Sequence, residues 1–187
     1  ALQNITQMRD WVFSLQDNLG IREASLIGHS MGSLISFAAA ASDASRVTKV
    51  ALLGTSAPMP VSEGMLSAAN DNHHAAIDMA NTWSHGSDGA LGRSGHPGQN
   101  NLNSGMRLME RAAPGVLHAD LAACNNFDAA DYGTVDSTPA LVIAGSADQM
   151  TPARSGLKVA AAIANCQHEI LDGCGHSMLS EQPNQVL

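Results

Sequence analysis

The most constraining feature of this chain is a Gly-x-Ser-x-Gly motif that separates two apolar runs. The motif is Gly28-His29-Ser30-Met31-Gly32. Residues 24–27 before it predict a strand, and the small, apolar residues 33–41 after it predict a helix. A turn this sharp needs its glycines, because a Cβ at either would clash with nearby backbone. The turn would hold the Ser30 hydroxyl clear of the sheet and point the Met31 N–H at the position of an oxyanion. Taken alone, the motif also fits an ordinary strand–helix turn with a capping serine.

Two further polar residues follow predicted strands. The apolar run 139–145 predicts a fully buried strand, and Asp148 lies just beyond it. Strand-like residues 168–171 precede a glycine-containing loop that carries His176. Ligands bind at the carboxyl edge of open α/β sheets, so Ser30, Asp148 and His176 are expected to converge there. The alternatives are a helix-capping Asp148 and a His176 that bonds only to backbone.

Ser30, Asp148 and His176 follow one another in the chain order serine, acid, histidine, and each lies just after a predicted strand. With these motifs the chain resembles the α/β-hydrolase family over nearly its whole length. The resemblance implies that Ser30 is the nucleophile, that His176 is its general base and later its general acid, and that Asp148 orients the imidazole. A serine hydroxyl attacks at neutral pH only if a base takes its proton, and a buried carboxylate holds that base in the required tautomer.

The alternation of short strands and helices predicts an α/β fold with a parallel sheet of about four strands, flanking helices and a helical insertion. It corresponds to the C-terminal part of the hydrolase fold. We expect residues 1–57 and 138–187 to form the two halves of a hydrolase core. Residues 58–137, called the insertion below, are expected to form a helical lid.

Local signals place the elements of the core. Residues 5–19 carry apolar side chains at helical spacing, and residues 47–53 predict a strand. Thr151 and Pro152 are expected to be the N-cap and first residue of a helix that ends at Ala164.

The insertion is expected to be helical around residues 65–81, 104–113 and 116–124. Residues 84–105 are rich in glycine and asparagine and predict a long, mobile loop without regular structure.

Both ends of the chain predict a fragment of a longer protein. Only 29 residues precede Ser30, and they hold no His-Gly loop of the kind that the resemblance implies for the second oxyanion donor. Residues 181–187 begin a closing helix. The alternatives are a natural minimal variant, or a chain whose sheet is completed by a partner.

Composition limits the partners. The net charge is −8 and no basic patch is present, which excludes nucleic acid and anionic lipid as partners. No apolar run approaches the roughly 18 residues of a membrane span.

The three cysteines show no C-x-x-C spacing and are expected to be reduced, and Cys174 is expected to have no catalytic role. The histidines of the insertion lack metal-ligand spacing, so neither a metal nor a cofactor is expected. A cytoplasmic location is expected, and the oligomeric state stays open.

The sequence therefore predicts a serine hydrolase that cleaves a carboxylic ester, thioester, lactone or amide of a small molecule through an acyl-enzyme. An acyltransferase or a C–C bond hydrolase could use the same triad, and a non-catalytic binding protein could use the same scaffold. A serine at position 30 argues against the family's epoxide hydrolases and dehalogenases, whose nucleophile is an aspartate.

Overall fold

A parallel β-sheet forms the centre of the fold. The computed structural model describes residues 2–90, 98 and 100–187, and within them the strands are β1 (Ala24–His29), β2 (Val47–Leu53), β3 (Ala140–Gly145) and β4 (Cys166–Leu171). They lie side by side in chain order, and every neighbouring pair is parallel. All the strands therefore end at the same edge of the sheet. The predicted α/β class and parallel sheet are confirmed.

Helices flank the sheet and form most of the insertion. They are α1 (Ile5–Asn18), α2 (Met31–Ser42), α3 (Glu63–Asn70), α4 (His74–Trp83), α5 (Ser87–Ala90), α6 (Asn101–Glu110), α7 (Val116–Asn125), α8 (Ala153–Ala162), α9 (Met178–Glu181) and α10 (Pro183–Val186). Helix α2 packs on β1 and β2, helix α8 packs on β3 and β4, and α1 packs on α2. Among the described residues, no helix combines the length and the apolar character that crossing a membrane requires.

The main core lies between the sheet and helices α2 and α8. Ala38, Ala39 and Ala40 are buried, and such short side chains let α2 approach the sheet closely, where Leu52 and Val142 are fully buried. On the opposite face Ile27 is 76% exposed. The helix predicted over residues 5–19 is confirmed. Its apolar stripe, however, is buried only in part.

The helices of the insertion begin and end at residues that differ from the predictions. Residues 65–81 form two helices, α3 and α4, because the chain turns between them at Asn72, whose φ is +52°. Helix α6 begins at Asn101, three residues before the helix predicted around residues 104–113, so residues 101–103 of the predicted loop are helical. The Asn100 side chain caps it by accepting a hydrogen bond from the N–H of Asn103 at 3.0 Å. Residues 91–97 and 99 of the predicted loop lie outside the described residues.

Candidate active site

The turn after β1 holds Ser30 in a strained conformation. Its φ is +53° and its ψ is −121°, a combination that costs a residue with a side chain about 1–3 kcal/mol. Hydrogen bonds from two directions hold it there. The Ser30 N–H donates to the carbonyl of Leu53 at the end of β2 (2.9 Å), and the Ser30 carbonyl accepts from the N–H (2.8 Å) and hydroxyl (2.6 Å) of Ser33. The sequence signal for a nucleophile-bearing turn thus coincides with observed backbone strain.

The two glycines of the motif have different roles. A Cβ at Gly28 would overlap the carbonyl of Gly32 and lie 2.6 Å from Oγ of Ser36, so only glycine fits there. Among the residues that the structure describes, a Cβ at Gly32 meets nothing within 4 Å outside its own helix, and the prediction of a clash at this position is wrong. Met31 is the first residue of α2, so its N–H has no acceptor within the helix and is free in that sense to bind an oxyanion.

Asp148 lies in the loop after β3 and is buried, with 5% of its surface exposed. Its Oδ1 accepts hydrogen bonds from the N–H groups of Met150 (2.9 Å) and Thr151 (2.8 Å). Its Oδ2 accepts from the Thr151 hydroxyl (2.8 Å) and from Nδ1 of His176 (2.8 Å). Burial raises the pKa of the Asp148 carboxyl, but the bonds from His176 and Thr151 outweigh it and bring the pKa below its ordinary value. Asp148 is therefore a carboxylate at neutral pH.

Thr151 is a site residue that the sequence did not identify. Helix α8 begins at Ala153 with Pro152 in the N-cap position, so the prediction of Thr151 as the cap is wrong. Its hydroxyl instead donates to Asp148 and lies 3.1 Å from Nδ1 of His176. Its side chain consequently helps to fix the carboxylate that faces the histidine.

His176, in the loop after β4, is 3% exposed. Nδ1 donates to Asp148, and Nε2 is buried without a hydrogen-bond partner among the described residues. The His29 ring lies beside it at a centroid distance of 4.7 Å, and Nε2 of His29 donates to the His176 carbonyl at 2.7 Å. Burial and the neighbouring His176 lower the pKa of His29, which keeps His29 neutral at pH 7.

Gly54 is a second residue that the sequence signals did not assign to the site. It follows β2 with a φ of +55°, and a Cβ on it would lie 3.1 Å from both Cε1 and Nδ1 of the His176 ring. Leu53, just before it, accepts the hydrogen bond that holds Ser30. The end of β2 therefore contacts both the turn that carries Ser30 and the ring of His176.

The structure brings Asp148 and His176 into direct contact, and Ser30 lines the same cavity as Thr151, whose hydroxyl donates to Asp148. Among the described residues, no hydrogen bond joins Oγ of Ser30 to Nε2 of His176. Bonds between nucleophile and base are often long in proteins without substrate.

A cavity of about 230 Å³ opens from Ser30 towards the insertion. Its wall is mostly apolar and includes Met59, Met65, Trp83, Leu121 and Met150. Of the described side chains that line it, none carries a formal charge. The methionines give it an adaptable wall. The cavity fits an uncharged, partly apolar group next to the Ser30 hydroxyl.

The Cys174 thiol is fully buried, and burial with the nearby acids raises its pKa to about 12, so it is not a nucleophile at neutral pH. All three cysteines are free thiols, as predicted. Within residues 2–90, 98 and 100–187, no group of three or more His, Cys, Asp or Glu side chains is arranged to hold a metal ion.

The alpha/beta hydrolase family model matches residues 2–187 of the chain. The chain belongs to the α/β-hydrolase family. A search of curated protein sequences finds no match.

Several solved structures of α/β-hydrolase proteins resemble this one. An enol-lactonase from Burkholderia xenovorans is 23% identical with a TM-score of 0.82, and the match covers 98% of this chain and 70% of that one. An esterase from Exiguobacterium antarcticum is 19% identical with a TM-score of 0.81, covering 98% and 71%. A thermophilic esterase from Thermogutta terrifontis is 23% identical with a TM-score of 0.78, covering 100% and 70%. At these identities the similarity shows the fold.

Proposed function

We propose that this α/β-hydrolase is a serine hydrolase that cleaves a carboxylic ester or related acyl bond through an acyl-enzyme. The observation that carries the proposal is the buried His176 ring. One nitrogen donates to the Asp148 carboxylate, and the other has no hydrogen-bond partner among the described residues and is available to a hydroxyl. A buried polar atom without a partner is costly, so its presence at the edge of the sheet favours a functional role.

The chemistry follows from these positions. Ser30 Oγ attacks the substrate carbonyl carbon while its proton passes to Nε2 of His176, and the Met31 N–H donates to the oxyanion. When the tetrahedral intermediate collapses, the bond to the leaving group breaks and His176 returns the proton to that group. Water then releases the acyl group by the same steps. Asp148 keeps its charge throughout and stabilises the imidazolium.

The cavity beside Ser30 supports a short, uncharged acyl group as the substrate's apolar part. Esterases and an enol-lactonase are among the proteins of similar structure, which agrees with an ester or lactone substrate. Each methylene buried in the cavity should raise kcat/KM about fourfold, since it contributes about 0.8 kcal/mol. In a series of p-nitrophenyl esters, the rise should stop once the chain fills the small cavity. An ester with a carboxylate on its acyl chain should react poorly.

The decisive experiment is labelling with a fluorophosphonate probe, followed by mass spectrometry. We expect one modified residue, Ser30, and no labelling in Ser30→Ala or His176→Ala. Matched controls are Ser25→Ala on β1 and His168→Ala on β4, both exposed, which should label at the wild-type rate. A folded protein that does not react with the probe contradicts the enzymatic proposal and favours a binding role.

A further inference from the structure

Glycines allow the insertion to pack closely against the loop that carries His176. The N–H of Ser177 donates to the carbonyl of Ser84 at 2.7 Å. A Cβ on Gly86 would lie 2.7 Å from the carbonyl oxygen of Gly173, and a Cβ on Gly175 would overlap the N–H of Gly86. Larger residues would therefore separate residues 84–86 of the insertion from residues 173–177 of the histidine loop.

One carboxylate binds both of these segments. Oε2 of Glu181, at the end of α9, accepts hydrogen bonds from the N–H groups of Gly86 (3.0 Å) and Gly175 (3.2 Å). Its Oε1 is buried and has no hydrogen-bond partner in the described part of the chain. A carboxylate that accepts from backbone N–H groups forms stronger bonds than a neutral acceptor does. Glu181 thus ties the insertion to the residue directly before His176.

His176 is therefore held from both sides. The residue before it is bound by Glu181, and the residue after it is bound by the carbonyl of Ser84. The position of the His176 ring beside Asp148 depends on this loop. A catalytic group must stay within about 0.5 Å of its productive position, so a small movement of the loop would matter.

We propose that Glu181 is a positioning residue, which holds His176 in place because its hydrogen bonds connect the loop of His176 to residues 84–86 of the insertion. Docking of the insertion and alignment of the catalytic histidine are then parts of one arrangement. The effect of Glu181 on catalysis rests on the proposed function, whereas its connection of the two segments does not.

Activity measurements on two variants test the effect on catalysis. Glu181→Ala removes the acceptor and should lower kcat and the rate of fluorophosphonate labelling about tenfold, with little change in KM, because the loss lies in alignment rather than binding. Glu181→Gln keeps an oxygen that can accept both N–H groups and should retain most of the activity. Glu169→Ala, an exposed site on β4, is the matched control and should match the wild type.

Hydrogen exchange tests the connection of the two segments without reference to activity. In Glu181→Ala, the amides of residues 84–86 and 175–177 should exchange faster together, while those of α2 and α8 keep their protection. Unchanged exchange in both segments, or an unchanged labelling rate in a folded Glu181→Ala protein, overturns the proposal. If the wild-type protein itself does not react with the probe, the proposed function fails, and the exchange experiment still decides whether Glu181 connects the two segments.

Discussion

Replacing Gly54 with alanine should damage the site as well as the fold. The added Cβ would lie 3.1 Å from Cε1 and Nδ1 of His176 and 3.4 Å from Nε2 of His29. Carbon atoms pack best at about 3.5–4.0 Å, so the His176 ring would have to move by about 0.5 Å. The movement is possible only if the 2.8 Å bond between His176 and Asp148 is distorted.

The size of the effect has two parts. An alanine at a φ of +55° is strained, and the left-handed conformation costs an L-residue about 1–2 kcal/mol of folding free energy. The displaced ring acts on the reaction separately. Because a misplacement of 1 Å costs about a hundredfold in rate, a shift of half that size should lower the labelling rate of Ser30 about tenfold.

Gly20→Ala provides the matched control. Gly20 has a φ of +68°, and a Cβ there meets no heavy atom within 4 Å among the described residues. Urea unfolding should show the cost of the left-handed conformation, about 1–2 kcal/mol, in both variants. Fluorophosphonate labelling should slow only in Gly54→Ala. A Gly54→Ala protein that labels at the wild-type rate, or a Gly20→Ala protein that slows equally, would refute the argument from the His176 contact.

Three further predictions concern the same edge of the sheet. Asp148→Asn should lower the labelling rate by about 10⁴-fold, as loss of the orienting carboxylate does in other Ser–His–Asp sites. Gly28→Ala should cost more than about 4 kcal/mol in urea unfolding, because the clash is with backbone, whereas Gly32→Ala should change stability by less than about 1 kcal/mol. Thr151→Val should cost about 2 kcal/mol at pH 7 by removing a hydrogen bond to a buried carboxylate, and Thr151→Ser should restore most of it; equal losses in both would contradict this role.

The pH dependence of stability follows from the same carboxylate. Because the folded-state pKa of Asp148 is below its ordinary value, its stabilising contribution is complete above the unfolded-state pKa of about 4. The contribution is lost as the pH falls through the lower, folded-state pKa. Thr151→Val removes one of the bonds that depress this pKa, so its acid unfolding should begin at a higher pH than that of the wild type.

Strong local patterns made the strands and their loops predictable. Strand β2 spans Val47–Leu53 as predicted, and β3 and α7 differ from their predictions by one residue. The continuous apolar run bounded by Pro139 and Gly145 gives β3, and the parallel order of the strands then places the loops of Ser30, Asp148 and His176 at one edge of the sheet. Their catalytic roles remain predictions that labelling can test.

Residues that act through distant contacts were not predictable. Gly54 ends a strand like many glycines, and only the fold shows that its Cβ would meet a ring 122 positions further along the chain. Thr151 precedes a proline, which is a pattern typical of helix caps, but helix α8 begins two residues later and the Thr151 hydroxyl donates to the Asp148 carboxylate. Glu181 contacts Gly86 across 95 positions. Sequence patterns describe neighbours along the chain, and the contacts of Gly54 and Glu181 are not between such neighbours.

Strand β2 supplies none of the three proposed catalytic side chains, yet its end supports two of them. The Leu53 carbonyl accepts the bond that holds Ser30 in its strained conformation, and Gly54 leaves room for the His176 ring. A shift of this corner would therefore move the nucleophile and the base at the same time. Since the strain at Ser30 costs about 1–3 kcal/mol, it persists only while neighbouring elements impose it. The geometry of the site is thus determined as much by the end of β2 as by the loops that carry Ser30, Asp148 and His176.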